Sequence, residues 1–255
     1  MSRAIIDAPA KAPSSRDQFA HAPVTEGPAD AWRPLYRLGA VAALLSVVLI
    51  FIAAIVYAVS QPPTTVTGWF ELYHKNWLLG LFAGDLMMLA INLVLGVIYI
   101  ALYGALRHAN QPFMALATAL GFLAIAAYFA SNPAFSLLSL SNQYAAATTD
   151  AERTALLGAG QAVIAGWTGS AFNIAYLLAA VVALIIALVM LRSYVFGKPT
   201  AYAGLVMGVL TLVPATAGMV GIVFSLLALV PTVVWLVLIA RRLFTLASAP
   251  EGSGL

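Results

Sequence analysis

The sequence predicts an all-α integral membrane bundle of six transmembrane helices with short extracytoplasmic helical segments. Three observations predict it. Of the residues, 63% are hydrophobic and only 8% are charged, whereas about 25% are charged in an ordinary soluble domain. The apolar residues form runs of about 20 residues, enough to cross a hydrocarbon layer of roughly 30 Å. The polar segments between these runs are short, which leaves no room for a soluble catalytic domain.

The chain divides into three parts. Residues 1–36 are rich in proline, alanine and mixed charges and have no apolar signal-peptide core, so we expect a disordered cytoplasmic tail. Residues 37–245 form the predicted transmembrane domain, and residues 246–255 form a short C-terminal tail. The six predicted spans are 38–60, 77–106, 112–130, 166–191, 201–217 and 220–240.

Prolines mark several of the predicted span boundaries. Pro62 and Pro63 end the first span, because a helix cannot continue through them. Pro112 lies near the start of the third span, where its missing N–H costs nothing. The last two spans are joined by a turn predicted at residues 214–218. Pro231 falls inside the sixth span and is expected to kink it.

Two polar segments are predicted to lie outside the membrane. Residues 64–76, with Trp69, Phe70 and Tyr73, are expected to lie flat on the membrane as part of an aromatic belt that also includes Trp77.

The second polar segment, residues 131–161, carries two helix-start signals. Asn132 and Pro133 supply an N-cap and a first-turn proline, and Thr149 with Glu152 forms a capping box, so we expect two short helices.

The distribution of basic residues predicts the orientation. Of the 12 lysines and arginines, only Lys75 and Arg153 lie on the side of the two polar segments. The other ten fall in the tails and in the opposite loops, so both termini are predicted to be cytoplasmic. The predicted location is the cell membrane, the cytoplasmic or inner one, in which the protein is a multi-pass component.

Asp85 is the sharpest feature of the predicted spans. An ionised group in hydrocarbon costs roughly 2.5 to 3.5 kcal/mol on insertion scales, so Asp85 is expected to be neutral, paired or facing a wet cavity. At 100° per residue, Asn92, Gly96, Tyr99 and Tyr103 share its helix face. We expect this stripe to face protein and not lipid.

Depth in the membrane predicts a partner for Asp85. Trp77 and Trp167 mark the outer interface, with Asp85 eight residues inward of one and Asn173 six inward of the other. We expect Asp85 to hydrogen-bond Asn173, or Asn92 through a water. The predicted pocket consists of Asp85, Asn92, Tyr99, Asn173 and Tyr176. Asp85 then has three interpretations: a packing acid held neutral, a proton-coupled or ligand-binding group, or a group at a partner interface.

The second candidate site is a predicted outer surface formed by Trp69, Glu71, His74 and Trp167. Glu71 and His74 have the i, i+3 spacing of carboxylate-bridged metal sites, but those sites need the pair twice plus two further carboxylates. An interfacial polar pair is therefore the favoured interpretation. We expect no metal, no cofactor and no paired-histidine haem, and cysteine is absent.

Small residues and missing motifs bear on partners and on catalysis. Gly80 with Gly84, and Gly204 with Gly208, allow close helix contact, either inside one bundle or in a homo-oligomer. No serine with a partnering histidine lies in a span, and no glycine-rich phosphate loop occurs. We therefore predict no enzymatic activity. The arginines at 241 and 242 are membrane anchors, so no nucleic acid is expected as a partner.

The chain resembles a bacterial multi-pass membrane family, domain of unknown function 4386. The resemblance is carried by the run SNPAFSLLSLSNQYAAATTDAERTALLGAGQA from Ser131, by LIIALVMLRSYVFGKPTAYAGLVMGVL and by the closing LIARRLF. It covers roughly residues 38–245. It implies six helices in a bacterial cytoplasmic membrane and no known activity, substrate or cofactor.

These observations predict a non-enzymatic membrane protein that binds a lipid, a small hydrophobic ligand or a membrane partner through the Asp85 pocket and an outer cap. An ordered outer segment suggests a lid or a docking surface. The alternative is a proton-linked small-molecule transporter that uses Asp85 as its carrier. An intramembrane enzyme ranks third, because one acid and no base lie within the spans.

Overall fold

A computed structural model describes residues 30–59 and 61–248, and this part of the chain is built from α-helices without a strand. The predicted tails lie largely outside the described residues. A 3-10 turn (Asp30–Trp32) precedes the first helix. The helices are α1 (Arg33–Val59), α2 (Val66–Lys75), α3 (Trp77–Ala83), α4 (Leu86–Ser131), α5 (Ala134–Ala146), α6 (Asp150–Trp167), α7 (Ser170–Leu191), α8 (Lys198–Thr211) and α9 (Gly218–Ala247).

Four helical stretches are long and apolar enough to cross a membrane, which confirms the all-α class and the transmembrane composition. They are Arg33–Val59, Leu86–Ala146, Asp150–Leu191 and Gly218–Ala247. Large apolar side chains stay exposed along them, such as Ile55 at 63% and Val230 at 68%. Exposed apolar surface on this scale suits lipid and not water.

Helix α4 is a hairpin of two antiparallel arms, residues 86–109 and 111–131. Its 46 residues would reach about 69 Å as one straight helix, but Asn110 leaves the helical conformation at φ −162° and ψ 89°. The Asn110 Oδ1 then accepts the Phe113 N–H at 3.3 Å and caps the second arm. The arms pack closely, because a β-carbon on Gly121 would lie 2.5 Å from the Tyr99 ring. The predicted break before Pro112 is confirmed.

The predicted span 77–106 is wrong as one continuous helix. Helix α3 ends at Ala83, α4 begins at Leu86, and Asp85 between them adopts the left-handed conformation at φ 76° and ψ 25°. It is the only non-glycine residue with positive φ in the described part of the chain. Aspartate tolerates this region better than most residues because its short polar side chain bonds locally. The break removes Asp85 from the helical stripe predicted with Asn92.

Helices α1, α4, α7, α8 and α9 pack into the bundle, which contains the larger hydrophobic core. Close approach of the helices requires small residues. A β-carbon on Gly39 would lie 2.4 Å from that of Ala101, so α1 and α4 touch there almost backbone to backbone.

The four glycines predicted as close-contact motifs all contact side chains of this same chain. A β-carbon on Gly80 or Gly84 would meet Tyr73, one on Gly204 would meet Trp235, and one on Gly208 would meet Leu184. These glycines therefore serve packing within the chain. The homo-oligomer through these glycines stays a prediction.

Helices α2, α3, α5 and α6 form the cap, which has a hydrophobic core of its own. Trp69, Phe70 and Tyr73 are 1%, 3% and 2% exposed and lie in that core. The predicted aromatic belt is therefore wrong for these three, because they pack against α5 and α6 and not against lipid. Trp77 stays 58% exposed and fits an interfacial role.

The predicted helix starts in the cap are confirmed. Thr149 Oγ1 accepts the Glu152 N–H at 3.2 Å while the Glu152 carboxylate accepts the Thr149 N–H at 3.2 Å, so the capping box is complete. At the start of α5, Asn132 Oδ1 accepts the Ala134 N–H at 3.1 Å. Such caps satisfy backbone donors that the first turn of a helix leaves unpaired.

Helices α8 and α9 are joined by the predicted turn, and Gly218 at φ 65° begins α9. Helix α8 has only 14 residues, fewer than the predicted 201–217. Pro231 lies inside α9 without interrupting it. A kink at Pro231 stays a prediction.

Candidate functional site

The Asp85 carboxyl is the most constrained polar group of the candidate site. It is 6% exposed. Its Oδ1 accepts the hydroxyl of Tyr57 at 3.0 Å, and its Oδ2 accepts the hydroxyl of Tyr128. We call Asp85, Tyr57, Tyr128 and Asn132 the Asp85 centre.

The Asp85 centre joins the bundle to the cap. Tyr57 lies near the end of α1, and Tyr128 lies near the end of the second arm of α4. Asn132 donates its Nδ2 hydrogen to the Asp85 main-chain carbonyl at 3.3 Å. Asp85 therefore ties the break between α3 and α4 to two segments that are far from it in the chain, the end of α1 and the junction of α4 with α5.

The predicted hydrogen bond between Asp85 and Asn173 is wrong. Asn173 Nδ2 donates to the carbonyls of Thr168 at 3.1 Å and Gly169 at 2.9 Å. Its Oδ1 accepts the Thr216 hydroxyl at 2.5 Å. The amide thus links the junction of α6 and α7 to the α8–α9 turn. Similar depth did not imply contact, because the two residues face different neighbours.

The other residues of the predicted pocket lie apart from the Asp85 carboxyl. Asn92 donates to the Met88 carbonyl of its own helix at 2.9 Å. Tyr99 is 4% exposed and packs on the second arm of α4. Tyr176 shares a 2.8 Å hydrogen bond with Ser225. These residues do not form one pocket with Asp85.

An aromatic path nevertheless leads from the Asp85 centre to Tyr176. The Tyr128 and Phe172 rings have centroids 6.1 Å apart, and Phe172 stacks on Tyr176 at 5.9 Å. The packing is apolar along this path.

Sequence reasoning missed Tyr57 and Tyr128. Both stand at the ends of predicted spans on the same side of the membrane as Asp85, so their depth carried a signal. Tyrosine is common at the membrane interface, so its place at a span end does not by itself indicate a bond to a buried carboxyl. Only the break at Asp85 brings the carboxyl within reach of both.

The cap contains an open cleft of about 340 Å³. Thr67, Glu71 and His74 lie on one face of α2, because they are spaced by four and three residues. Phe70 and Tyr144 stand together in the cleft with ring centroids 5.2 Å apart. The lining residues are Thr67, Phe70, Glu71, His74, Ser141, Tyr144, Ala145 and Arg153.

Charged groups of both signs line the cap cleft. Glu71 and His74 are exposed on α2, and Arg153 is exposed on α6. Arg153 Nη2 donates to the Ala147 carbonyl at 3.4 Å. Across residues 30–59 and 61–248, none of these three side chains forms an ion pair with another side chain. In this same part of the chain no group of three histidine, cysteine or acidic side chains gathers as a metal site would need.

The residues of the predicted outer surface differ in exposure, and the side of the membrane that they face stays a prediction. Glu71 and His74 are exposed, but Trp69 is buried and is not a surface residue. Trp69 meets the half-buried Trp167 edge to face at 5.9 Å. The two tryptophans therefore hold α2 against the end of α6.

Tyr73 also anchors the cap core. Its hydroxyl donates to the Ala134 carbonyl at 2.8 Å. Burial raises the pKa of Tyr73 above its usual range. The hydroxyl therefore remains a donor throughout the physiological pH range.

No family model, curated protein or solved structure matches this chain. The resemblance to domain of unknown function 4386 stays a prediction, and the functional argument depends on the geometry above.

Proposed function

We propose that this chain is a six-pass membrane protein without catalytic activity, whose cap is a binding module held on the bundle by the Asp85 centre. The observation that carries the proposal is the contrast between two polar sites. The Asp85 carboxyl is occupied by two tyrosines of the chain itself. The cap cleft instead presents Glu71, His74 and Arg153 without ion-pair partners in the described residues.

Three features of the helices support six passes. The α4 hairpin counts as two crossings, since its arms turn back on each other at Asn110. Helices α1, α7 and α9 supply three more. Helix α8 supplies the sixth, although its 14 residues span only about 21 Å. A helix this short fits a locally thinned bilayer.

The placement of basic residues supports cytoplasmic termini. At the end of the bundle away from the cap, the Arg107 guanidinium lies 4.5 Å from the centre of the Trp32 ring. Arg242 bonds the Val195 carbonyl at the same end. The cap end carries Lys75 and Arg153. An excess of basic residues at one end is the usual mark of the cytoplasmic side.

Ligand-dependent thermal stability tests the binding proposal. The full-length protein in detergent is heated with a panel of membrane lipids and small polar or hydrophobic metabolites, because a ligand that binds only the folded state raises the melting temperature. The variant is Glu71→Gln combined with Arg153→Gln, and the matched control is Asp150→Asn combined with Arg192→Gln, which changes exposed residues that do not line the cleft.

We expect at least one compound to stabilise the wild type and the control but not the cleft variant. If every compound acts equally on all three proteins, the cap cleft is not a binding site and the proposal fails.

A second candidate function, a proton-linked transporter, is favoured by the helix break at Asp85. Broken helices with ionisable groups are typical of transporter substrate and ion sites. Here the break places a left-handed acidic residue between two tyrosine hydroxyls. Asp85 would then carry the proton, and the aromatic neighbours would limit access to water.

Proton flux in proteoliposomes tests the transporter. With an imposed pH gradient, wild type is compared with Asp85→Asn and with the control Asn92→Ala, whose amide bonds only its own helix. Flux above that of empty liposomes that Asp85→Asn abolishes and Asn92→Ala preserves would establish the transporter. Flux identical in wild type and Asp85→Asn removes Asp85 from any such role.

A further inference from the structure

Side chains of opposite charge line the cap cleft, and this composition narrows the class of ligand. Glu71 is carried by α2 and Arg153 by the first turn of α6. A simple anion in the cleft would be attracted by Arg153 and repelled by Glu71, and a simple cation would meet the reverse. A molecule with both charges satisfies both groups, because complementary charge patterns favour the ligand that matches them.

The hydrogen-bonding groups of the cleft favour phosphate as the anionic part. The guanidinium of Arg153 has five N–H donors, and one of its nitrogens donates a hydrogen bond to the Ala147 carbonyl. The side chains of Thr67 and His74 on α2 and of Tyr144 on α5 also line the cleft and add hydrogen-bonding groups to it. Carboxylate and phosphate both pair with guanidinium in a two-point geometry, but phosphate offers more acceptor oxygens and can also accept hydrogen bonds from these groups.

The remaining features of the cleft fit a short aminoalkyl chain. The rings of Phe70 and Tyr144 offer an apolar wall beside the charged groups. Glu71, with no ion-pair partner of its own in the described chain, supplies acceptors for an ammonium N–H. The volume of about 340 Å³ accommodates a group of this size without the acyl chains of a lipid.

We propose that the cap cleft binds a zwitterionic aminoalkyl phosphate of the phosphoethanolamine type, with the phosphate on Arg153 and the ammonium group on Glu71. This inference rests on the proposed function and names its ligand class. The same chemistry occurs as a lipid headgroup and as a free small molecule, and the experiment separates the two sources.

Binding is measured on the full-length protein with two kinds of probe. Free phosphoethanolamine is titrated against the protein in detergent by calorimetry. For the lipid, the protein is reconstituted in nanodiscs of phosphatidylcholine that contain phosphatidylethanolamine or phosphatidylglycerol, and retained lipid is counted by native mass spectrometry. Glycerol phosphate, which lacks the ammonium group, is the anion control. The variants are Glu71→Gln and Arg153→Gln, with Asp150→Asn as the matched control.

We expect phosphoethanolamine chemistry to bind wild type and Asp150→Asn and to bind each cleft variant at least tenfold more weakly. Enrichment of the lipid alone assigns the headgroup as the source, and binding of the free compound alone assigns a soluble ligand. Melting temperatures equal to wild type show that the variants fold. A variant with a lower melting temperature is not used in the binding comparison. Glu71→Asn then replaces Glu71→Gln, and Arg153→Lys replaces Arg153→Gln.

Three results overturn the inference. The first is the absence of binding by both the lipid and the free compound. The second is equal binding of glycerol phosphate, and the third is binding that survives in either cleft variant. If another class of compound in the stability panel depends on Glu71 and Arg153, the binding function stands and only the ligand class is wrong. If no compound does, the binding function itself fails.

Discussion

At the scale of single residues, Asp85 combines a strained backbone with two side-chain partners. Its left-handed φ of 76° costs a non-glycine residue energy that the surrounding structure must offset. The hydroxyls of Tyr57 and Tyr128 are the visible compensation, since each bonds a different carboxyl oxygen. The backbone and side-chain contributions can be separated by substitution.

Three substitutions at Asp85 are expected to destabilise in the order Asn, Gly, Ala. Alanine loses both tyrosine bonds and keeps the backbone strain, so we expect a loss of about 2 to 3 kcal/mol. Glycine loses the same bonds but tolerates positive φ, and should cost about 0.5 to 1 kcal/mol less than alanine. Asparagine keeps an acceptor and accepts the left-handed conformation. Melting temperatures in detergent measure the order, at roughly 2 to 4 °C per kcal/mol.

Equal melting temperatures for the glycine and alanine variants would show that the left-handed conformation stores no strain. An asparagine variant more stable than wild type would point to a carboxyl retained for function, which is the outcome that favours the transporter.

Tyr73→Phe tests the buried hydrogen bond inside the cap. The change removes the hydroxyl bond to the Ala134 carbonyl, which still accepts from its own helix, and should cost about 0.5 to 1.5 kcal/mol near neutral pH. Because burial raises the pKa of Tyr73 in the folded protein, the Tyr73 hydroxyl ionises at a lower pH in the unfolded chain than in the folded one. The stabilisation that this buried hydroxyl contributes is complete below about pH 10 and is lost as the pH rises toward the folded pKa.

The measurement is the melting temperature of wild type and Tyr73→Phe between pH 7 and 11.5. The gap between them should narrow above pH 10, while Tyr194→Phe, at a fully exposed tyrosine, should follow wild type throughout. A gap that does not change with pH would contradict the assignment of a buried, neutral hydroxyl.

At the scale of elements, the cap and bundle depend on glycines that act as contact points inside the chain. A β-carbon on Gly80 would lie 2.6 Å from the Tyr73 ring, which is itself buried. By contrast, one on Gly158 of α6 would meet nothing within 4 Å. Replacement of glycine by alanine should therefore change stability in opposite directions at the two positions.

We expect Gly80→Ala to destabilise by about 1 to 3 kcal/mol through overpacking, and Gly158→Ala to stabilise by about 0.5 to 1 kcal/mol through helix propensity. Chemical denaturation of each purified variant measures the change in the free energy of unfolding and its sign. If Gly80→Ala is neutral while it changes the oligomeric state in light scattering, the glycine serves a contact between copies, and its contact with Tyr73 is secondary.

Local signals in the sequence predicted elements better than they predicted partners. The caps at Asn132 and Thr149 and the turn before Pro112 are set by neighbouring residues, so the sequence identified them. The break at Asp85 is set by tertiary contacts with distant tyrosines, which no local pattern contains. The burial of Trp69 was missed for the same reason, since an aromatic residue in a polar segment suits a membrane surface as well as a small core.

At the scale of the whole molecule, the six proposed passes would place the cap and the α8–α9 turn on one side of the membrane and the two basic connections on the other. The chain has no cysteine, so single cysteines can map this arrangement without background labelling. Exposed positions are available in each connection. They are His108 and Tyr194 at the basic end, Thr148 in the cap and Ala217 in the turn.

In intact cells a membrane-impermeant maleimide should label Thr148→Cys and Ala217→Cys, whereas His108→Cys and Tyr194→Cys should react only after permeabilisation. The pair at 108 and 148 tests whether the second arm of α4 crosses the bilayer. The pair at 194 and 217 tests whether α8, at about 21 Å, crosses as well. Labelling of 194 and 217 from the same side would make α8 a re-entrant element and reduce the protein to fewer passes. Reversed labelling of all four cysteines would put the cap cleft in the cytoplasm. Its ligand would then have to be a cytoplasmic compound or a lipid of the inner leaflet.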